Sequence, residues 1–131
     1  FKMNNPKGAF FKGMKKNQVF HEKSIQDLTQ ADFNIIRDEH TMENKKANII
    51  FYDADHDPQQ QYDNLTYLYT IMDDQFIIVI DDANFMGVVE SANIWVKEND
   101  LKVMFDRKIL TGIPEDPNGW WNGVHIMVCQ K

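Results

Sequence analysis

Carboxylates gather at two places in this sequence, each directly after a short run of apolar residues. The runs span residues 49–52 and 76–80, and the acids that follow them are Asp53, Asp55 and Asp57 in the first case and Asp81 and Asp82 in the second. Sites made only of oxygen ligands suit Mg²⁺, Mn²⁺ or Ca²⁺ better than zinc, which prefers histidine and cysteine. One such aspartate alone more often caps a turn or a helix, but the repeated pattern favours a cation-binding or catalytic site.

The spacing of these acids decides which of them could share one ion. Asp53 and Asp55 are two residues apart, so along a regular strand their side chains would point to the same side. Asp81 and Asp82 are adjacent and would point to opposite sides, so both could reach one ion only if the chain turns there. His56 could act as a base or a ligand, or be an ordinary histidine at the solvent edge.

The elements that must position these acids follow from hydrophobic periodicity. Both apolar runs are continuous rather than alternating, which is typical of strands buried on both faces in a parallel sheet covered by helices. Between them, Pro58 suits a first helical turn, and Tyr62, Leu65, Tyr69 and Met72 recur at helical spacing. The unit is therefore predicted to be β-α-β, with both groups of acids at the carboxyl-terminal edge of the sheet, where open α/β folds place their sites.

Downstream of the second acidic strand, the pattern predicts a helix and then a hairpin. The helix begins near Gly87 and ends at Asn99 and Asp100. Two strand-like runs, residues 101–105 and 124–129, are separated by a loop rich in turn-forming residues and by no helix. Such a pair predicts an antiparallel hairpin at the end of the sheet. The fold class is therefore α/β, with parallel strands, helices and a C-terminal hairpin.

The part of the chain before the first acidic strand is less strongly patterned. Residues 18–22 are a candidate short strand, and Ser24 is a candidate N-cap for the turn that follows. Residues 29–46 are polar, with one small apolar cluster, and are interpreted as a short helix or structured loop.

Composition limits the classes of function. A chain of 131 residues with a formal net charge of -6 is expected to be one domain without a nucleic-acid partner, because binding phosphates requires a positive face. The one cysteine, Cys129, permits no internal disulfide, which favours a reducing, cytoplasmic location. No apolar run approaches the ~18 residues that span a bilayer, so no membrane partner is expected. The glycines form neither a phosphate-binding loop nor a dinucleotide fingerprint.

Three segments together resemble the class I S-adenosylmethionine-dependent methyltransferases, and most closely the macrocin O-methyltransferase-like group. They are Phe-Tyr-Asp-Ala-Asp-His at 51–56, the early helical Tyr62, and Ile-Val-Ile-Asp-Asp at 78–82. The Trp-Trp-Asn-Gly-Val segment at 120–124 is similar to a subset of such proteins. The resemblance extends from about residue 17 to residue 131.

This resemblance implies a specific division of roles. A divalent ion, usually Mg²⁺, would be held by Asp53, Asp81 and Asp82, with Asp53 also counted among the cofactor-binding residues. Asp55 would be the general base that takes the proton of the acceptor hydroxyl. Ser24 would lie near the adenine of S-adenosylmethionine. The acceptor would be a small hydroxylated molecule, a sugar being one candidate.

The chain also departs from the pattern of that family. The usual glycine of the Asp-x-Asp motif is Ala54, and neither the glycine-rich cofactor loop nor the acid that holds the ribose is found; both would precede Phe1. Residues 1–131 are therefore expected to be one partial, Rossmann-like methyltransferase domain, inactive by itself. In the family's strand order, 3-2-1-4-5-7-6, the first acidic strand would lose a neighbour. Its free edge would then pair with residues 18–22, or the chain would form a homo-oligomer through that edge.

Two alternatives remain open at this point. One is a non-catalytic α/β module that binds a cation or a protein partner. The other is a metal-dependent phosphohydrolase, which would need a lysine or threonine at later strand ends. Trp120 and Trp121 could stack on an acceptor or pack into the core.

Overall fold

The computed structural model describes residues 24–28, 46–113 and 119–131. Their elements, in chain order, are a 3-10 turn (Ile25–Asp27), β1 (Ala47–Tyr52), α1 (Pro58–Tyr69), β2 (Met72–Asp81), α2 (Met86–Glu98), β3 (Lys102–Ile109) and β4 (Val124–Gln130). The strand predicted at 18–22 lies outside the described residues, as do all but one residue of the 29–46 segment and part of the loop before β4.

The described strands form one mixed sheet in the order β1-β2-β4-β3. β1 and β2 pair in parallel across α1, so the predicted β-α-β unit is confirmed. β3 and β4 pair antiparallel, which confirms the hairpin. β4 lies between β2 and β3, so β3 is the edge strand. The fold is thus α/β, and the carboxyl ends of β1 and β2 meet at one edge.

Two predicted boundaries need correction. The helical spacing predicts Met72 on the apolar face of the helix, but it begins β2 and is fully buried there. The helix ends at Tyr69 because a tightened last turn follows it, with the Ile71 N–H donating to the Leu68 carbonyl. The Lys131 ammonium then donates to the carbonyls of Tyr69 and Met72. The other change is in β3, which extends to Ile109 instead of ending near residue 105.

The core lies on one face of the sheet. α1 and α2 contact each other and bury Leu65 and Trp95 against alternate residues of β2 and β4. The prediction that the first strand is buried on both faces is wrong, because Ile49 and Phe51 of β1 are 63% and 57% exposed. Both belong to the opposite face, which neither described helix covers.

One buried polar side chain, His125 on β4, is not indicated as important by the sequence pattern. It is fully buried, its Nε2 lies 2.7 Å from Asp106 Oδ1, and its Nδ1 has no hydrogen-bond partner among the described residues. Burial lowers the pKa of His125 below its usual 6.5, although the Asp106 carboxylate opposes the shift. A proton on Nδ1 would be a buried donor without an acceptor, which favours the neutral ring.

We expect the stability of the protein to fall as the pH drops below about 6.5, the unfolded-state pKa of histidine. In that range His125 binds a proton in the unfolded chain but, because of its lowered pKa, less readily in the folded chain. The equilibrium therefore shifts toward the unfolded state. Urea denaturation of the wild type and of His125→Gln at pH 7.5 and 5.5 measures this difference, the pH values chosen to lie about one unit on either side. An equal pH dependence in both proteins would contradict the assignment.

Candidate functional site

The acidic edge is built by the parallel pairing of β1 and β2. Tyr52 is opposite Ile80 in the register, so the next residues, Asp53 and Asp81, emerge side by side. This is the meeting of strand ends that the sequence pattern predicts. The acids are thus brought together by backbone hydrogen bonding between strands that are distant in sequence.

Asp82 joins the other two because the chain turns at that residue. Its φ of 60° lies in the left-handed region, which non-glycine residues rarely adopt. In consequence Asp53, Asp81 and Asp82 each place a carboxylate oxygen within 4.8 Å of the others. We call these three residues the acidic triad. Asp53 is exposed, Asp81 is half-buried and Asp82 is buried.

The electrostatics of the acidic triad reflect three negative charges held close together. The pKa of Asp53 is raised, first by partial desolvation of its carboxyl group and then by the charges of Asp81 and Asp82, while His56 opposes the rise. The charged form of Asp53 is therefore disfavoured unless a positive charge compensates the neighbouring carboxylates. A divalent cation would supply that charge, and the donor set, which consists only of carboxylate oxygens, is one that Mg²⁺ accepts.

His56 contacts the acidic triad directly. Its Nε2 is hydrogen-bonded to Asp82 Oδ2, and its ring lies 5.1 Å from the ring of Phe85, measured between centroids. The sequence left the role of His56 open between base, ligand and surface residue. The structure places it as a hydrogen-bond partner of Asp82, and the aromatic contact that holds it could not be read from the spacing.

Asp55 and Asp57 do not join the acidic triad. β1 ends at Tyr52, so the alternation of side chains along a regular strand does not apply to Asp53 and Asp55. The Asp57 N–H donates to Asp55 Oδ1 at 3.0 Å, and Asp57 caps α1 by accepting from the N–H of Gln60 at 2.9 Å. In this structure both side chains therefore act as turn and helix caps.

Ser24 occupies the N-cap position of the 3-10 turn, as predicted. Its side chain makes no capping bond to the backbone and instead donates to Asp27 Oδ2 at 2.7 Å. The turn contacts α1, and Ile25 packs against the core. A position beside the adenine of a methyl donor stays a prediction for Ser24.

A turn before β4, whose tryptophans the sequence allows to stack on an acceptor, completes the edge through a contact that the sequence does not predict. The indole N–H of Trp120 donates to Asp81 Oδ1 at 3.1 Å. The backbone of the same turn accepts hydrogen bonds from the corner after β2, from the Ala83 N–H to the Gly123 carbonyl and from the Asn84 N–H to the Asn122 carbonyl. Gly123 is the residue of this turn whose type hints at its conformation, because its φ of +83° lies in the region that favours glycine.

No strand described here ends in a glycine-rich turn that could cradle S-adenosylmethionine. The described residues therefore offer a cation site and an adjoining aromatic turn, and no binding pocket for the methyl donor can be assigned to them.

In the described part of the chain, neither helix has the length and apolar character needed to cross a membrane.

Comparisons with protein-family models, with curated proteins and with solved structures found no match to this chain.

Proposed function

We propose that the acidic triad binds a divalent cation, Mg²⁺ in the first instance, in an S-adenosylmethionine-dependent O-methyltransferase that acts on a small hydroxylated acceptor. The observation that carries this proposal is the convergence of three carboxylates from two parallel strand ends, within 4.8 Å of one another. The left-handed conformation of Asp82 adds to it, because unusual backbone conformations cluster at functional sites.

The topology supports the same proposal. The observed strand order β1-β2-β4-β3 corresponds to the last four strands, 4-5-7-6, of the order that the methyltransferase resemblance implies. The reversed strand β4 lies between β2 and β3, as the strand numbered 7 does in that order. This agreement comes from long-range pairing, so it is independent of the short motifs on which the resemblance rests.

The chemistry assigned to the described residues is activation of the acceptor. A bound cation would lower the pKa of an acceptor hydroxyl, and a carboxylate beside the site would take its proton. Asp55 is the proposed base: it is exposed and two residues from Asp53, and only one of its oxygens receives the Asp57 N–H. The base would have to act from this loop without belonging to the acidic triad.

Methyl transfer tests the proposal. The complete gene product is incubated with S-adenosylmethionine labelled in its methyl group and a panel of hydroxylated acceptors, with and without Mg²⁺. We expect transfer that requires Mg²⁺, is abolished by chelation, and falls by about 100-fold or more in Asp55→Asn. The matched control is Asp63→Asn, which removes the same charge from an exposed position on α1. Transfer that is insensitive to chelation, or equal loss in both variants, would argue against the proposal.

A second candidate function, a non-catalytic interaction module, is favoured by the uncovered face of the sheet. Ile49 and Phe51 are more than half exposed there, beside the outer edge of β1, which has no strand partner among the described residues. Exposed apolar faces next to free edges mark association surfaces. We propose that a second copy of this chain binds there. β1 carries no charged side chain, so two β1 edges can pair without repulsion between like charges.

Sedimentation velocity tests this second candidate. We expect a dimer for the wild type, a monomer for Phe51→Lys, and a dimer for the control Ile94→Lys, whose residue is 51% exposed on α2, away from the uncovered face. A monomeric wild type would exclude self-association through β1 and leave the proposed cation site untouched.

A further inference from the structure

Two consecutive tryptophans are exposed beside the acidic triad. Trp120 and Trp121 are 46% and 53% exposed, whereas the third tryptophan of the chain, Trp95, is completely buried in the core. Core packing of the pair, one of the two roles open from the sequence, is therefore wrong. Leaving two indoles half in water forgoes the favourable burial of large aromatic surfaces, so the turn is suited to contact with another apolar surface.

The turn that presents these rings is held in place by hydrogen bonds to several segments. The Thr111 hydroxyl donates to the Trp121 carbonyl at 3.0 Å, and Asn84 Nδ2 donates to the Thr111 hydroxyl at 2.7 Å. Trp121 itself has a φ of +37°, an uncommon conformation for a large residue. A surface fixed in this way needs little further ordering when it binds a ligand.

The position of Trp120 relates the aromatic surface to the cation site. Its indole N–H donates to Asp81 Oδ1, so one edge of the ring is anchored on a member of the acidic triad. No residue in the described part of the chain is hydrogen-bonded to the second carboxylate oxygen of Asp81. A flat ligand that stacks on the indole therefore has its edge close to the carboxylates, where its hydroxyl groups can reach a bound cation.

We infer that Trp120 and Trp121 form a stacking subsite for an acceptor that has a flat apolar ring face and hydroxyl groups on the ring edge. This inference rests on the proposed function, since it assigns the acceptor side of the same site. Both a pyranose, through the C–H groups of one face, and a dihydroxylated aromatic ring have this chemistry. An open-chain polyol has the hydroxyls without the ring face and should not be recognised.

Indole ¹H–¹⁵N spectra of the protein test the inference, because its 3 tryptophans give separate signals. In the presence of Mg²⁺, methyl β-D-glucopyranoside and catechol are titrated in parallel, with sorbitol as the open-chain control. We expect the signals of Trp120 and Trp121 to shift with at least one ring probe, while the signal of Trp95 and the spectrum with sorbitol stay unchanged. The probe that binds more tightly identifies the kind of ring.

Two variants separate stacking from the hydrogen bond to Asp81. Trp121→Asn removes an aromatic ring at a position where asparagine tolerates positive φ, and it should weaken binding of the ring probe by about tenfold. Trp120→Phe keeps an aromatic face but loses the N–H donor, and it should bind the probe within about twofold of wild type. Equal binding by wild type and Trp121→Asn would overturn the subsite.

The outcomes also distinguish this inference from the proposed function. Calorimetry with Mg²⁺ alone is run on the same samples. Normal Mg²⁺ binding with no shift of Trp120 or Trp121 by either ring probe overturns the stacking subsite and leaves the cation site standing. Shifts of the two signals without any Mg²⁺ binding support the aromatic subsite and overturn the cation site.

Discussion

Replacement of Gly123 by alanine is expected to lower the free energy of unfolding by about 3 kcal/mol. The φ of +83° at this residue costs an L-residue about 1–2 kcal/mol. The added Cβ would also lie 2.7 Å from Asn84 Oδ1 and 2.9 Å from the Ile109 carbonyl oxygen, and the second of these is backbone that cannot rotate away. Overpacking of this kind adds roughly 1–3 kcal/mol.

The matched control for this change is Gly112→Ala. A Cβ at residue 112 would meet no atom within 4 Å, so urea denaturation should find its stability within about 0.5 kcal/mol of the wild type. Because Gly123 closes the turn that carries Trp120, its variant should also broaden or shift the indole signal of that residue. A Gly123→Ala protein as stable as Gly112→Ala would mean that the turn does not pack against the corner after β2 as described.

The second large effect is expected at Asp82. Asp82→Asn should weaken Mg²⁺ binding by about 100-fold, because it removes one of three charged ligands, and loss of mere outer-sphere partners already costs 10- to 100-fold. In the absence of Mg²⁺ the same variant should be at least as stable as the wild type, since it relieves the repulsion that raises the pKa of Asp53. Calorimetric titration and denaturation in chelator measure the two effects.

Asp73→Asn is the control for Asp82→Asn. Asp73 is exposed at the opposite end of β2, so its replacement changes the net charge equally without touching the acidic triad. A similar loss of Mg²⁺ affinity in both variants would show that the ion is attracted by overall charge rather than bound at a site.

The features that could be predicted from the sequence are those that depend on local periodicity. The apolar run of β1 and the helical spacing of Tyr62 and Leu65 sufficed for the β-α-β unit, and parallel pairing then brought Asp53 beside Asp81. The apolar run also indicated the end of β1, which lies at Tyr52, but not the conformation of the acidic segment after it, because a loop has no regular alternation of side chains. The spacing of Asp53 and Asp55 therefore could not decide whether Asp55 joins the acidic triad.

Long-range contacts account for what the sequence did not reveal. The anchoring of Trp120 on Asp81 spans 39 residues and depends on Asn84, which bonds a threonine 27 residues away. No local pattern encodes such contacts. The sequence also did not show that helices cover only one face of the sheet. The continuous apolar run of β1 is like that of a strand buried on both faces, yet Phe51 is exposed.

The central claim, that the acidic triad holds a divalent cation, is tested most directly by a crystal structure of the protein soaked in Mn²⁺. Anomalous scattering locates this ion without ambiguity. We predict one Mn²⁺ bonded to a carboxylate oxygen of Asp53, Asp81 and Asp82, at about the 2.0–2.1 Å typical of Mg²⁺ ligands or slightly longer. An anomalous map with no peak among these three carboxylates would contradict the account.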